Sequence, residues 1–215
     1  MSEIIIRDIT AEDIPAIKKV VREVWAWEEL FGSDAVLEAC VAIYFAPVLH
    51  RATFGRVALL NGEIVGAIFG IADGELPRYK HILEELTPHI LLMIQADEQE
   101  RFSMCEYMTK LNATYEALTD GIEDEYDGTL DFLVLSNAAQ GKGIGKQLWL
   151  ALKEYLESKA VSRVYLYSDN ECNFGFYDSQ GFARRNKMEV RFVFDGEEEV
   201  SEQYLYEYCF DGEKI

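Results

Sequence analysis

Hydrophobic positions near the middle of the chain change from a strand pattern to a helix pattern across a glycine-rich segment. The nearly continuous apolar run over 130–135 is short and rich in strand-forming side chains, which predicts a strand buried on both faces. From Ile144 to Lys159 the apolar residues recur at the spacing of one helical face, which predicts an amphipathic helix. Glycines at 141, 143 and 145 predict a turn between the two.

The N-terminal part of the chain is predicted to form a strand, two helices and a hairpin. Residues 3–9 have a strand pattern, and the apolar face from Ile14 to Val24 predicts the first helix. The second helix is predicted over Asp34–Phe45, with Pro47 ending it because proline lacks the N–H that a helix interior needs. Asn61-Gly62, between two strand patterns, predicts a hairpin.

Residues 74–128 have a mostly helical pattern. Pro77–Leu86 is one candidate helix, and Thr87-Pro88 is typical of the beginning of the next. A further helix is predicted by apolar residues spaced by four and three, namely Met104, Met108, Leu111, Tyr115 and Leu118.

The pattern after the central helix predicts a parallel strand and then an antiparallel pair. Residues 163–168 should return beside 130–135, because a strand–helix–strand crossover is right-handed. A short helix is predicted over Glu171–Ser179, and antiparallel strands are predicted over Phe182–Phe194 and Val200–Phe210.

The glycine-rich turn has the chemistry of an anion site. A helix that begins in glycines leaves backbone N–H groups unpaired and the positive end of its dipole open to a ligand. Phosphate is the natural ligand of such a helix start. A Walker loop and a dinucleotide fingerprint beginning at Gly141 would both need a glycine where this chain has Lys146, so the spacing excludes both.

Two motifs around this turn resemble those of a known family. Gln140, Gly143 and Gly145 form Q-x-x-G-x-G, which resembles the pyrophosphate-binding signature of the GNAT superfamily of N-acetyltransferases in its glutamine variant. Tyr177 lies seven residues after Asn170 and is followed by Gly181-Phe182, which is similar to the second motif of that superfamily. Two motifs in this order are more specific than either alone.

The resemblance implies an α+β fold, built as a three-layer α/β structure. Its sheet would be mixed and mostly antiparallel, with the fourth and fifth strands as a central parallel pair flanked by helices. We expect a single acetyltransferase-like domain over 1–215, in which 74–128 is an unusual helical insertion between the third and fourth strands. The oligomeric state stays open, with a homodimer among the alternatives.

The same resemblance implies acetyl-CoA as co-substrate. Its pantetheine arm would lie along the backbone edge of Leu133, Val134 and Leu135, and its pyrophosphate on the turn. Asn170 and Asn173 would bond the amide groups of the coenzyme, with capping of a short helix as the alternative. The residues expected around the pyrophosphate are Gln140, Gly141, Lys142, Gly143, Ile144, Gly145 and Lys146, of which the two lysines are equally compatible with idle surface charge.

The implied reaction is transfer of the acetyl group to a primary amine, on a small molecule or exposed on a protein. It needs a base for the amine proton and an acid for the sulfur. Tyr177 matches the position of the general acid of the family, with packing among phenylalanines as the alternative. Asp131, the one carboxylate in the apolar strand, is the candidate base because burial would raise its pKa. A structural hydrogen bond of Asp131, or a water chain as the base, is the alternative.

The acceptor amine is expected near the loop between the first two helices. Trp25, Trp27, Glu28 and Glu29 place aromatic rings beside carboxylates, which suits a cationic amine. A buried tryptophan staple with two surface glutamates accounts for the same residues. The alternative function is an acyl-CoA-binding regulatory or interaction module without catalysis.

Charge and cysteine usage narrow the expected partners. The 215 residues include 20 basic and 39 acidic ones, for a formal net charge of −19. This charge disfavours nucleic acid and suits a cationic substrate, but solvated carboxylates on a soluble protein are the simpler explanation. The four cysteines are scattered without metal-ligand spacing, so reduced thiols in the cytoplasm and no metal are expected. No signal peptide or membrane span is apparent, and no membrane partner is expected.

Overall fold

The computed structural model describes residues 3–25, 33–170, 174–194 and 197–210. The helices in these ranges are Ile14–Trp25 (α1), Asp34–Arg51 (α2), Thr87–Gln95 (α3), Glu98–Thr119 (α4), Ile144–Ser158 (α5) and Phe174–Ser179 (α6). The strands are Ile4–Asp8 (β1), Phe54–Leu60 (β2), Glu63–Ala72 (β3), Gly128–Leu135 (β4), Arg163–Asp169 (β5), Ala183–Phe194 (β6) and Glu197–Cys209 (β7).

The strands follow the order β1-β2-β3-β4-β5-β7-β6. β4 and β5 are parallel, with Gly128 opposite Val164 and Thr129 opposite Tyr165. The β1–β2, β2–β3, β5–β7 and β6–β7 pairs are antiparallel. This topology confirms the predicted α+β fold, in which a mixed, mostly antiparallel sheet has a central parallel pair and is flanked by helices.

The chain forms two compact units. Unit 1 comprises Met1–Gln95 and Leu130–Ala160, and unit 2 comprises Ala96–Thr129 and Val161–Ile215. The helical segment between β3 and β4 is divided between them, because α3 belongs to unit 1 and α4 to unit 2. The organisation of 1–215 as one domain remains a prediction.

Aromatic side chains between α2 and the sheet form the core of unit 1. The ring of Phe45 on α2 lies 5.4 Å from that of Phe69 on β3 and 5.3 Å from that of Phe132 on β4. α2 is apolar around most of its circumference. Its other side is covered by α3, and at this contact Cys40 Sγ of α2 lies 3.5 Å from Met93 Sδ of α3. A helix that is apolar all round is stable only when it is covered in this way.

A buried lysine joins the segment before α3 to the first two helices. Lys18 Nζ on α1 lies 2.8 Å from Glu38 Oε1 on α2 and 2.9 Å from Glu84 Oε1. Burial opposes the charge of Lys18, but the two carboxylates together raise its pKa above the usual value. The ammonium group therefore stays charged and holds three segments together.

The prediction that Pro47 ends the second helix was wrong. α2 continues through the proline to Arg51, and the N–H of Ala52 still donates to Val48 O at 3.0 Å. Proline removes one helical hydrogen bond. Burial of Val48 and Leu49 beyond it offsets this cost by keeping the apolar face of the helix packed.

The predicted helix over Pro77–Leu86 was also wrong, since this stretch contains only a short 3-10 turn at Lys80–Ile82. Outside that turn, polar groups of the stretch bond to other parts of unit 1. The N–H of Arg78 donates to Ala52 O at 2.9 Å, and the Tyr79 hydroxyl donates to Gly55 O at 3.2 Å. Tertiary contacts thus override the local helical pattern.

β4 is fully buried on one face only, so the prediction of burial on both faces was wrong. The side chains of Leu130, Phe132 and Val134 are buried. On the other face Thr129, Leu133 and Leu135 are half-buried, and the side chain of Asp131 is the buried one among them. Side chains alternate between the faces of a strand, and only the face of β4 that packs against Phe45 of α2 is completely covered.

In unit 2, α4 packs on the β6–β7 hairpin. The rings of Tyr107 and Phe192 lie 4.9 Å apart, and Asn186 Nδ2 donates to Leu118 O at 3.2 Å. The predicted helix with an apolar stripe is confirmed, because Met104 and Leu111 are buried with Leu118. Among the described helices, none has both the length and the apolar composition needed to cross a bilayer.

Candidate functional site

Two glycines hold the turn before α5 in the left-handed region of backbone space. Gly141 has a φ of 70° and Gly143, the residue that precedes α5, has a φ of 72°. Other residue types rarely adopt this conformation. A Cβ atom at either position would meet nothing within 4 Å. The turn therefore borders open space instead of a packed neighbour.

Consecutive backbone N–H groups of this turn have no hydrogen-bond acceptor among the described residues. No atom in the described ranges accepts a hydrogen bond from the N–H groups of 141–146, and the first helical bond of α5 runs from Gln147 N to Gly143 O at 3.2 Å. These groups, which we call the amide cradle, lie at the positive end of the helix dipole. They can bind an anion, and their number and open surroundings fit a diphosphate.

A hydrogen bond to Glu23 of α1 supports the segment in front of the amide cradle. Glu23 Oε1 accepts from the N–H of Asn137 at 2.9 Å, and Asn137 Oδ1 accepts from Gln140 Nε2 at 3.0 Å. Gln140 is thereby tied to the segment that leaves β4. Glu23 has no signal in the sequence, because it precedes Asn137 by 114 positions and belongs to neither motif.

The other predicted residues of the turn differ in what their side chains do. Ile144 is completely buried and anchors the first turn of α5, so it contributes only its backbone N–H to the amide cradle. Gly145 is buried as well. Lys142 Nζ donates to Ala138 O, which keeps its charge beside the turn, whereas Lys146 is exposed.

A glycine on β3 sets the position of the end of β4. A Cβ atom on Gly66 would lie 2.5 Å from Leu135 Cδ2 and 2.7 Å from Val134 O. Both distances are too short for real contacts, so only glycine lets the two strands approach in this way. The placement of Leu133, Val134 and Leu135 before the amide cradle therefore depends on Gly66.

Asp131 is buried and forms an ion pair. Its side chain is 6% exposed, and its Oδ1 lies 2.7 Å from Arg51 Nη2. Arg51 Nε also donates to both carboxylate oxygens, at 2.9 and 3.0 Å. Burial raises the pKa of Asp131 above its usual value, although the guanidinium of Arg51 works in the opposite direction. Asp131 thus holds a structural ion pair and still binds a proton more readily than an ordinary aspartate.

Trp25 is the predicted acceptor-side residue that the structure describes. Its ring stacks on Phe132 with a centroid distance of 5.6 Å and an interplanar angle of 15°. It also lies 5.9 Å from the ring of Tyr44. Trp27, Glu28 and Glu29 lie outside the described residues.

Unit 2 holds the residues of the second motif. Asn170 follows β5, and its Oδ1 accepts from the N–H of Glu202 on β7 at 2.8 Å, so its side chain braces a strand. Tyr177 on α6 is buried, with its ring 5.7 Å from that of Phe182 and 5.5 Å from that of Tyr206. Asn173 lies outside the described residues.

The cysteines of the described ranges, Cys40, Cys105 and Cys209, form no disulfide there. In the same ranges, no cluster of three or more His, Cys, Asp or Glu side chains is arranged to hold a metal ion.

Comparison with known proteins connects this arrangement to one family. The family model for the acetyltransferase (GNAT) family matches residues 21–182. A mycothiol acetyltransferase of Renibacterium salmoninarum is 48% identical over 52 residues, which are 23% of this chain and 15% of that protein. The chain therefore matches about 15% of the length of that relative.

Solved structures share the fold at low sequence identity. The ribosomal-protein-S18-alanine N-acetyltransferase of Escherichia coli superposes with a TM-score of 0.57 at 13% identity, covering 99% of each chain. The PaiA N-acetyltransferase of Thermoplasma acidophilum, in complex with coenzyme A, gives 0.52 at 16% identity, covering 97% of this chain and 99% of that one. Because the family model covers more than half of the chain and the fold agrees, this chain belongs to the acetyltransferase (GNAT) family.

Proposed function

We propose that this protein is an acetyl-CoA-dependent N-acetyltransferase that acts on a primary amine of a small molecule or on an exposed protein amine. The observation that carries the proposal is the amide cradle, whose N–H groups have no acceptor in the described part of the chain. Family membership identifies the expected anion as the diphosphate of coenzyme A. The coenzyme A bound to the PaiA N-acetyltransferase supports this assignment.

The residues proposed to hold the coenzyme divide into three groups. The amide cradle donates to the diphosphate, and Lys142 and Lys146 add positive charge beside it. Leu133, Val134 and Leu135 offer their backbone to the pantetheine arm. Asn170 and Asn173 bond the amide groups of that arm. The two left-handed glycines support the fit, because the space that a Cβ atom would fill is open.

Acetyl-CoA supplies the acetyl group as a thioester, and two side chains are proposed to move protons. Asp131 takes the proton of the attacking amine, and Tyr177 donates a proton to the departing sulfur. The raised pKa of Asp131 supports the first role, since a carboxylate whose pKa lies nearer the working pH accepts a proton more readily. The motif around Tyr177 supports the second.

The acceptor is proposed to be a cationic amine that meets Trp25, Trp27, Glu28 and Glu29. The net charge of −19 is consistent with such a substrate. The names of the relatives refer to different acceptors. A panel of polyamines, aminoglycosides, amino acids and N-terminal peptides therefore tests this proposal. Consumption of acetyl-CoA with one class supports an enzyme. Coenzyme binding without consumption on any amine supports the acyl-CoA-binding module.

A carboxylate in the amide cradle should prevent coenzyme binding. We expect Gly143→Asp or Gly145→Asp to weaken coenzyme A binding more than about 100-fold in calorimetry, because the new negative charge would face the diphosphate. Gly74→Asp is the matched control for position 143. Gly74 also has a positive φ, of 81°, and open space around its Cβ position. It lies at the other end of α5 from the amide cradle, since its neighbour Glu75 pairs with Lys159, the residue that follows α5, at 2.8 Å. Unchanged affinity for coenzyme A in both Gly143→Asp and Gly145→Asp would reject the amide cradle as an anion site.

Removing the Tyr177 hydroxyl should slow turnover without affecting coenzyme binding. We expect Tyr177→Phe to lower kcat about 100-fold with the best amine of the panel, while the Kd of coenzyme A stays within about twofold. Tyr208→Phe serves as the control, because Tyr208 also packs against Phe182, at 5.3 Å. Normal turnover in Tyr177→Phe would remove Tyr177 from the role of acid.

Arg51 should set the pH at which the proposed base becomes active. Asp131 must be deprotonated to act, so kcat/KM should rise with pH through its pKa. Arg51→Met removes the cation that opposes the effect of burial, and the rise should therefore move to higher pH, whereas Asp131→Asn should lower kcat about 100-fold. Arg56→Met, which breaks the ion pair with Asp8 instead, should leave the profile in place. A profile that does not move in Arg51→Met would exclude Asp131 as the base.

A further inference from the structure

A chain of three polar side chains links β7 to the end of β5 in unit 2. Gln203 Nε2 donates to Ser201 Oγ at 2.9 Å, and Ser201 Oγ donates to Asn170 Oδ1 at 3.2 Å. The N–H of Glu202 donates to the same oxygen at 2.8 Å, and Asn170 N donates to Glu202 O at 3.0 Å. The backbone and side chain of Asn170 are therefore both fixed by β7.

One backbone group sets the direction of the whole chain of hydrogen bonds. An N–H can only donate, so the atom of Asn170 that meets Glu202 must be its carbonyl oxygen. Ser201 must then donate its own proton to that oxygen, which leaves its lone pairs to accept from Gln203. The orientation of both carboxamides thus follows from these hydrogen bonds.

This direction of the hydrogen bonds leaves an unfavourable group at the buried end of the series, at Gln203. Gln203 is 3% exposed, and its Oε1 has no hydrogen-bond partner in the part of the chain that the structure describes. An unpaired buried acceptor destabilises the folded state. At the other end, Asn170 is exposed, and no acceptor in the described ranges takes a hydrogen bond from its NH2 group. The arrangement gives up stability at Gln203 and presents a donor at Asn170.

We propose that Ser201 and Gln203 are positioning residues, which hold the carboxamide of Asn170 so that its NH2 group points outward. The ligand group that meets Asn170 must then be an acceptor, namely an amide carbonyl oxygen of the pantetheine arm, and not an N–H. This inference rests on the proposed function, because it assigns the polarity of one contact with coenzyme A. It adds two residues that belong to neither sequence motif.

Binding of two probes to a set of variants tests this proposal. The probes are coenzyme A and adenosine 3′-phosphate 5′-diphosphate, which is coenzyme A without its pantetheine arm. We expect Asn170→Asp to weaken coenzyme A binding about 10-fold and to leave the shorter probe unaffected. Aspartate keeps the oxygen that β7 needs but cannot donate to a carbonyl. If the ligand group were an N–H, Asn170→Asp would bind coenzyme A as well as the wild type or better, which would overturn the assigned polarity.

The positioning role of Ser201 and Gln203 has its own readout. Ser201→Ala and Gln203→Leu should each weaken coenzyme A binding about threefold with the shorter probe unchanged, and Ser201→Thr, which keeps the hydroxyl, should restore it. Ser158→Ala is the matched control, since that hydroxyl bonds only within its own helix, to Tyr155 O. Equal loss of both probes, or no loss in Ser201→Ala and Gln203→Leu, would overturn the positioning role. Failure of the wild type to bind either probe would instead reject the proposed function.

Discussion

The N–H groups at the beginning of α5, which have no acceptor among the residues described, are the constraint on which the rest of unit 1 depends. Every helix begins with such groups, and most proteins satisfy them with a capping side chain. This chain places glycine at the capping position, and no side-chain cap is present at Gly143. The left-handed glycines keep the space in front of the helix open. The positive end of the dipole is therefore not covered by a capping side chain.

An open helix start keeps its shape only if the surrounding segments are rigid. Glu23 holds the segment after β4 through Asn137, while Ile144 anchors the first turn of α5 in the core. Gly66 lets β3 and β4 approach closely. The aromatic cluster around Phe132 fixes β4 against α2. Core packing, not the motif alone, thus fixes where the amide cradle stands.

The sequence was informative where the chemistry is local. The strand, glycine turn and central helix were predicted correctly, because glycine spacing and helical periodicity act within a few residues. The Asn61-Gly62 turn was predicted for the same reason, and both residues have positive φ. Pro77–Leu86 was predicted incorrectly, because Tyr79 and its neighbours bond to residues that are distant in sequence. Arg51, which is 80 positions from Asp131, gave no local signal.

The central claim is that the backbone amides of 141–146 bind the diphosphate of coenzyme A. The most direct measurement is an NMR titration of uniformly ¹⁵N-labelled protein with coenzyme A, followed through the backbone amide resonances. The account predicts that the largest proton shifts, downfield, occur at Gly141 to Lys146, because each new N–H···O bond to a phosphate deshields the amide proton. Saturable binding that leaves these resonances in place would contradict it.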